Sequence, residues 1–167
     1  SFELVIHGKS AHGAAPQNGA DGILAAAHAA IAVENRMTRL SQEQMSILTF
    51  GQISGGQVPN ALADRVSLLG TTRYFSMKRR QEIIDLLHEA AGHAAMAFGA
   101  TASVVLNEKE YPPVVNNAGC VSKALPLIER HAPQPPQMIA EDFSCYLNRR
   151  PGFFAFIGTK DDLHQSP

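Results

Sequence analysis

The sequence lacks the features that mark several large classes of protein. Its 167 residues include two cysteines, Cys120 and Cys145, which form neither a disulfide framework nor a CxxC pair. The formal net charge is −1, which gives no reason to expect attraction to nucleic acid or to an anionic membrane. No apolar run approaches the roughly 18 residues of a membrane-spanning helix, and no basic-then-apolar leader opens the chain. We therefore expect a cytoplasmic protein with neither a nucleic-acid nor a membrane partner.

The sequence does have enough apolar residues for a buried core, at 45% of the total, and they recur with clear periods. Ser76 and Gly99 are suitable first and last caps of a helix that places apolar residues such as Ile83 and Leu87 on one face. The predicted elements are a strand at 2–7, a helix at 23–40, strands at 46–53 and 65–75, a helix from Ser76 to Gly99 and a strand at 101–108. The order β-α-β-β-α-β predicts an α/β (α+β) two-layer sandwich, in which two helices cover one face of a four-stranded antiparallel sheet.

The character of the sequence changes after a proline-marked break at 110–115. A helix is predicted at 117–131 with Pro126 inside it, followed by a short helical turn in AEDFSCYL and a buried strand in GFFAFIG. This second part has too little material to bury itself. We expect residues 1–110 to form one domain and residues 111–167 to be part of a larger domain, within a chain cut from something longer.

Several motifs have an ordinary structural explanation. HEAAGH at 88–93 suggests a zinc site, but its histidines are at i and i+5, about 140° apart on a helix, so we reject that interpretation. The acidic pair Glu141 and Asp142 most simply begins a helix. The alternative is that one of these carboxylates orients a catalytic group.

Four residues are harder to explain by packing. His12 lies in the small-residue turn GKSAHGAAPQNGADG between a strand and a helix, and Asn60 lies in a Gly/Pro loop where turn formation is its common role. Arg73 lies in a strand of small and apolar residues, where its guanidinium needs a carbonyl cluster or an anion such as a carboxylate. His164 follows the predicted buried strand and an acidic loop. Taken singly, a structural role is favoured for each.

Three stretches taken together resemble a known family. They are GKSAHGAAPQNGADGI, then GGQVPNALADRVSLLGTTR, then AEDFSCYL followed by RPGFFAFIGTKDDLHQSP. In this order they resemble the metal-dependent amidohydrolases of metallopeptidase family M20. Within the family, the branch of hippurate hydrolases, N-acyl-amino-acid amidohydrolases and indole-acetyl-amino-acid hydrolases fits best.

The resemblance implies a catalytic α/β domain that holds two divalent metal ions, zinc or manganese, with a smaller lid domain inserted into it. Residues 1–110 then correspond to the lid, which forms a homodimer, and residues 111–167 to the C-terminal part of the catalytic domain. By the same resemblance, His12 reaches into the partner's active site and stabilises the oxyanion, and Asn60 helps to hold the substrate. Arg73 binds the free carboxylate of an N-acyl amino acid substrate, and His164 is a metal ligand.

The sequence also departs from the family pattern. The first metal motif and the paired-glutamate motif of the family are absent, and one histidine cannot supply the roughly four ligands that zinc takes. We therefore expect this chain alone to hold no catalytic metal tightly and to hydrolyse nothing. Two alternatives stay open: a non-enzymatic dimerisation or small-ligand-binding module, and a dipeptidase or aminopeptidase of the same family.

Overall fold

The structure, a computed structural model, describes residues 1–40, 45–107 and 110–158. Within them the chain forms four strands and four α-helices, with 3-10 turns at Pro16–Asn18 and Leu125–Leu127. In chain order the elements are β1 (Phe2–His7), α1 (Gly22–Met37), β2 (Ser46–Gly55), β3 (Arg65–Tyr74), α2 (Met77–Met96), β4 (Thr101–Leu106), α3 (Ala118–Ala124) and α4 (Ser144–Leu147). The predicted order of strands and helices up to β4 is confirmed.

The four strands form one antiparallel sheet in the order β2-β3-β1-β4. Since β1 lies in the middle, Phe2 pairs with Gly70 of β3 on one side and with Leu106 of β4 on the other. The first strand therefore begins beside the end of the last one, and the amide of Asn107 donates to the carbonyl of Ser1 at 3.1 Å. β3 continues four residues past Gly70, and within the described parts of the chain only β2 pairs with this overhang.

Both long helices lie on one face of the sheet, as predicted. Alternate side chains of the strands point to that face, and they make a core with the helices. Its fully buried large side chains include Leu4, Ile6, Leu68 and Leu87. The helices begin where the sequence indicates: the Asp21 carboxylate accepts the amides of Ile23 and Leu24, and the Ser76 hydroxyl accepts that of Arg79.

The apolar spacing of α1 leaves open which side of the helix is buried. The side packed on the sheet is formed by small residues, namely Ala25, Ala26, Ala29 and Val33. The larger residues on the same helix, Ile23, Leu24 and Ile31, are exposed. Because alanine side chains are small, α1 can approach the sheet closely on this side. The bulky side chains of the helix lie on the opposite side and face outward.

The chain divides into two compact units, one of Ser1–Glu110 with Gln137–Ala140, the other of Tyr111–Pro136 with the chain from Glu141 onward. The helix expected at 117–131 is wrong in its length. α3 ends at Ala124, and Pro126 lies in the 3-10 turn that follows, because proline lacks the amide and its ring obstructs a continuing helix. The short helical turn in AEDFSCYL is confirmed as α4.

The buried strand expected at 152–158 is also wrong. These residues form no strand, and Ile157 is 87% exposed. A strand needs a neighbouring strand to satisfy its amides and carbonyls. Here Phe154 instead pairs with a side chain: its amide donates to Asn116 Oδ1 at 2.8 Å, and Asn116 Nδ2 donates to its carbonyl at 2.9 Å.

No helix in the described ranges is both long and apolar enough to cross a membrane.

Candidate active site

The turn that carries His12 requires a glycine at its start, Gly8. Gly8 follows β1 directly, and its amide donates to the carbonyl of Asp64 at 2.8 Å. A Cβ at Gly8 would lie 2.5 Å from the carbonyl oxygen of Ala20 and 2.7 Å from that of Ala63. Because real Cβ atoms do not come so close to backbone oxygens, glycine is required for the chain to fold back here.

The turn of His12 and the loop of Asn60 are joined by backbone hydrogen bonds. The amide of Gly13 donates to the carbonyl of Asn60 at 2.8 Å, and the amide of Leu62 donates to the carbonyl of Ala11 at 2.9 Å. His12 and Ala61 are thus partners in an isolated antiparallel bridge. The structure therefore brings His12 and Asn60 together at one end of the sheet, and both are exposed.

The imidazole of His12 is oriented by its own turn. Its Nδ1 accepts the amide of Ala14 at 3.1 Å. A ring nitrogen that accepts a hydrogen bond is unprotonated, so the proton of the neutral ring lies on Nε2. Nε2 has no hydrogen-bond partner in the described residues, and the exposed ring presents this N–H as a donor.

Arg73 lies at the opposite end of the sheet. It is eight residues after Arg65, the start of β3, which corresponds to about 26 Å along the strand. Arg73 Nη1 donates to the carbonyl of Thr72 at 3.1 Å, and no carboxylate of the described residues forms an ion pair with it. One amino-acid-sized ligand therefore cannot touch Arg73 and the His12–Asn60 pair of the same chain.

The remaining candidate residues that the structure describes form no site. His164 is outside the described residues. Glu141 and Asp142 precede α4, where Glu141 Oε1 accepts the amide of Phe143 at 3.3 Å, in agreement with the helix-start interpretation. His88 and His93 are exposed on α2, and no group of three or more histidine, cysteine or acidic side chains in the described residues is placed to hold a metal ion.

The structure also shows a polar cluster that the sequence did not indicate. The Tyr74 hydroxyl donates to one carboxylate oxygen of Glu110, and Arg80 Nε donates to the other at 2.6 Å. Burial and the hydrogen bond to Glu110 both raise the pKa of Tyr74 well above its usual range. Glu110 lies 36 positions after Tyr74 and 30 after Arg80, and the three residues match no motif, so only the folded structure reveals the cluster.

The first unit is a split βαβ domain that displays its candidate residues on its surface rather than in an enclosed cavity. Residues 1–98 match the sequence profile described as the peptidase dimerisation domain of the M20 family. The chain belongs to the M20 peptidase family and carries this dimerisation domain, as its motifs indicate.

Known relatives agree with this assignment. The chain is 34% identical to N-acetyl-L-cysteine deacetylase of Bacillus subtilis over 166 residues, which are 96% of this chain and 40% of that protein. It is 31% identical to the IAA-amino acid hydrolase ILR1-like 4 of Arabidopsis thaliana over 170 residues, 96% of this chain and 39% of that protein. The chain thus spans about two fifths of the length of the curated relatives it matches.

Among solved structures, the chain is similar to the YXEP protein of Bacillus subtilis, described as a dinuclear metal binding peptidase from the M20 family. The two superpose with a TM-score of 0.65 at 26% identity, over 92% of this chain and 38% of that one. The relatives are hydrolases, and this supports membership of a hydrolase family for the chain.

Proposed function

We propose that this chain is the lid and C-terminal catalytic portion of a cytoplasmic, metal-dependent amidohydrolase. The complete enzyme cleaves the amide of an N-acyl amino acid, such as a hippurate-like substrate, with water as the nucleophile. In this proposal residues 1–110 are the lid and residues 111–167 belong to the catalytic domain. Support comes from the deacetylase and amino acid hydrolase among the relatives, each named for hydrolysis of a modified amino acid.

The observation that carries the proposal is the placement of the candidate residues at two ends of one sheet. His12 and Asn60 lie together at one end, and Arg73 lies at the other, about 26 Å along β3 from Arg65. If all three contact one substrate, as the family resemblance implies, they must come from two chains. The arrangement therefore supports a homodimer in which each active site takes His12 and Asn60 from the partner subunit.

Each residue has a chemical role that fits its geometry. The outward Nε2–H of His12 donates to the carbonyl oxygen of the scissile amide and to the oxyanion that develops from it. A positioned donor of this kind is typically worth about 3–4 kcal/mol in the transition state. Arg73, with no carboxylate of its own among the described residues, receives the substrate carboxylate, which a guanidinium binds with two parallel hydrogen bonds.

The side of the domain next to β2 offers a surface for a second copy of the chain. β2 is an edge strand, α1 packs beside it, and Ile23, Ala27 and Ile31 form an exposed row along that helix. Ile53 of β2 is 58% exposed and adds to the apolar character. An unpaired strand edge bordered by an apolar helix is well suited to pairing with its own copy about a two-fold axis.

The metals of the proposed enzyme are not accounted for by this chain. The described residues hold no ligand cluster, and His164 alone could supply one ligand of each pair of zinc or manganese ions. We propose that the other ligands belong to the part of the catalytic domain outside this sequence. The chain alone is then inactive.

The test is the metal content of the purified, dialysed chain by elemental mass spectrometry, together with its mass in solution. We expect a dimer without stoichiometric metal. Near-stoichiometric zinc or manganese would contradict the proposed division of ligands.

Joining the chain to its N-terminal half then separates the possible functions. Release of the amino acid from N-acyl substrates supports the deacylase. Turnover only of substrates with a free amine would indicate a dipeptidase or aminopeptidase, and binding without any turnover a non-enzymatic module.

A further inference from the structure

The cluster of Tyr74, Arg80 and Glu110 connects three separate parts of the first unit. Tyr74 is the last residue of β3, Arg80 lies in the first turn of α2, and Glu110 is where the first unit ends and the chain passes into the second. Arg80 places both Nε and Nη2 at 2.6 Å from Glu110 Oε2. The Arg80 and Glu110 side chains are only 21% and 24% exposed, so water screens this ion pair less than one on the open surface.

The cluster lies at the end of β3, where this inner strand is paired on one side among the described residues. β1 pairs with β3 only as far as Gly70, so among the described residues the last four residues of β3 have β2 on one side and no strand on the other. Glu110 contacts Tyr74 at the end of this overhang. The Tyr74–Glu110 hydrogen bond therefore adds a contact between residues distant in sequence at the end of β3, where the described residues provide backbone pairing on one side.

The overhang is the part of β3 that carries Arg73. Tyr74 follows Arg73 directly, and their side chains point to opposite faces of the strand. Tyr74 packs at the margin of the core, while the Arg73 guanidinium has a single hydrogen bond, to a neighbouring carbonyl. The position of Arg73 therefore depends on its backbone, which the Tyr74–Glu110 contact holds.

We propose that Glu110 is a positioning residue that fixes Arg73 for the substrate carboxylate, by holding the end of β3 to the first turn of α2 and to the point where the first unit ends. The inference rests on the proposed function, in which Arg73 binds that carboxylate. Glu110 itself touches no substrate. Loss of its contacts lets the β3 overhang move, and the bidentate contact of Arg73 is weakened because it tolerates little displacement.

The test uses the complete enzyme and two substrates that differ at one group, an N-acyl amino acid and its carboxamide. Glu110→Gln and Tyr74→Phe should each raise KM for the carboxylate substrate by about 3- to 10-fold, with little change in kcat. Neither should change KM for the carboxamide. Glu89→Gln is the matched control, because Glu89 forms a similar two-contact pair with Arg36 on the exposed surface between the helices.

Arg73→Ala distinguishes a failure of the positioning role of Glu110 from a failure of the proposed role of Arg73. If it abolishes the preference for the carboxylate while Glu110→Gln and Tyr74→Phe leave that preference intact, the positioning role of Glu110 is wrong and the proposed function stands. If Arg73→Ala does not change the preference, the assignment of Arg73 fails and the inference fails with it. An equal loss on both substrates in both cluster variants would show a purely structural role, and would overturn the inference.

Discussion

The amide of Gly13 donates a hydrogen bond to the backbone carbonyl of Asn60, at 2.8 Å, across the two loops that extend beyond the sheet. The hydrogen bond fixes the loop of Asn60 to the turn of His12, although 48 positions separate the two residues in the sequence. A change that shifts one loop shifts the other.

We expect Gly8→Ala to disturb this loop pair and to destabilise the fold. The new methyl group would lie 2.5 Å from the carbonyl oxygen of Ala20, and relief of such overpacking typically costs about 1–3 kcal/mol. Urea denaturation measures the loss. Gly51→Ala is the control, since nothing lies within 4 Å of its Cβ position, and it should change the free energy of unfolding by less than about 0.5 kcal/mol. Equal losses in the two variants would contradict the close approach at Gly8.

His12→Ala should lower kcat of the complete enzyme by about 10²- to 10³-fold and change KM little, because in the proposed function its Nε2–H donates to the developing oxyanion. Steady-state kinetics with an N-acyl amino acid measures both constants. His93→Ala, on the exposed side of α2, should leave them unchanged. A change in KM alone would show that His12 binds the substrate and does not stabilise the transition state.

Ile31→Glu should weaken the homodimer, because it would bury an unpaired carboxylate between two copies of α1. Ile31 is 61% exposed within one chain. Sedimentation equilibrium should show a dissociation constant raised by at least about 10-fold. Met96→Glu changes a residue of similar exposure, 69%, on the other helix and should have no effect. A dimer equally stable in the two variants would exclude the α1 side as the interface.

The stability of the fold should depend on pH through Tyr74. Burial and Glu110 raise the pKa of this phenol in the folded state, so its unfolded form loses the proton first as pH rises. The stabilisation that the protonated Tyr74 phenol provides is complete below pH 10, the usual pKa of a tyrosine, and decreases as pH rises above it. The difference in urea midpoint between the wild type and Tyr74→Phe should therefore become smaller as pH rises from 10 to 11.5, compared with its value at pH 8. Parallel curves would show that Tyr74 titrates normally.

The strands and helices up to β4 could be predicted because their signals are local. Asp21 and Ser76 cap the helices through amides two to three residues away, and Gly99 takes the positive φ of 69° that ends α2. The buried side of α1 could not be predicted with the same certainty. Alanine is compatible with burial and exposure alike, and the tertiary packing decided that Ala25 and Ala29 face the sheet.

The second unit was predicted less well, for a different physical reason. A run such as GFFAFIG has the composition of a strand, but it becomes one only if another strand lies beside it. The bridge between His12 and Ala61, which places Asn60 beside the histidine turn, and the contact of Tyr74 with Glu110 also depend on residues distant in sequence. Neither leaves a periodic pattern, so neither could be found before the fold was known.

Residues 1–107, which contain β1 to β4, begin and end side by side, since Phe2 of β1 and Leu106 of β4 are direct partners and Asn107 donates to Ser1. A domain whose two ends lie one strand apart can be spliced into a loop of another protein without stretching the recipient chain. Residues 1–107 are therefore suitable for insertion into a loop of another protein. Transplanted into an unrelated monomer, they should carry the proposed self-association surface of α1 and β2 with them.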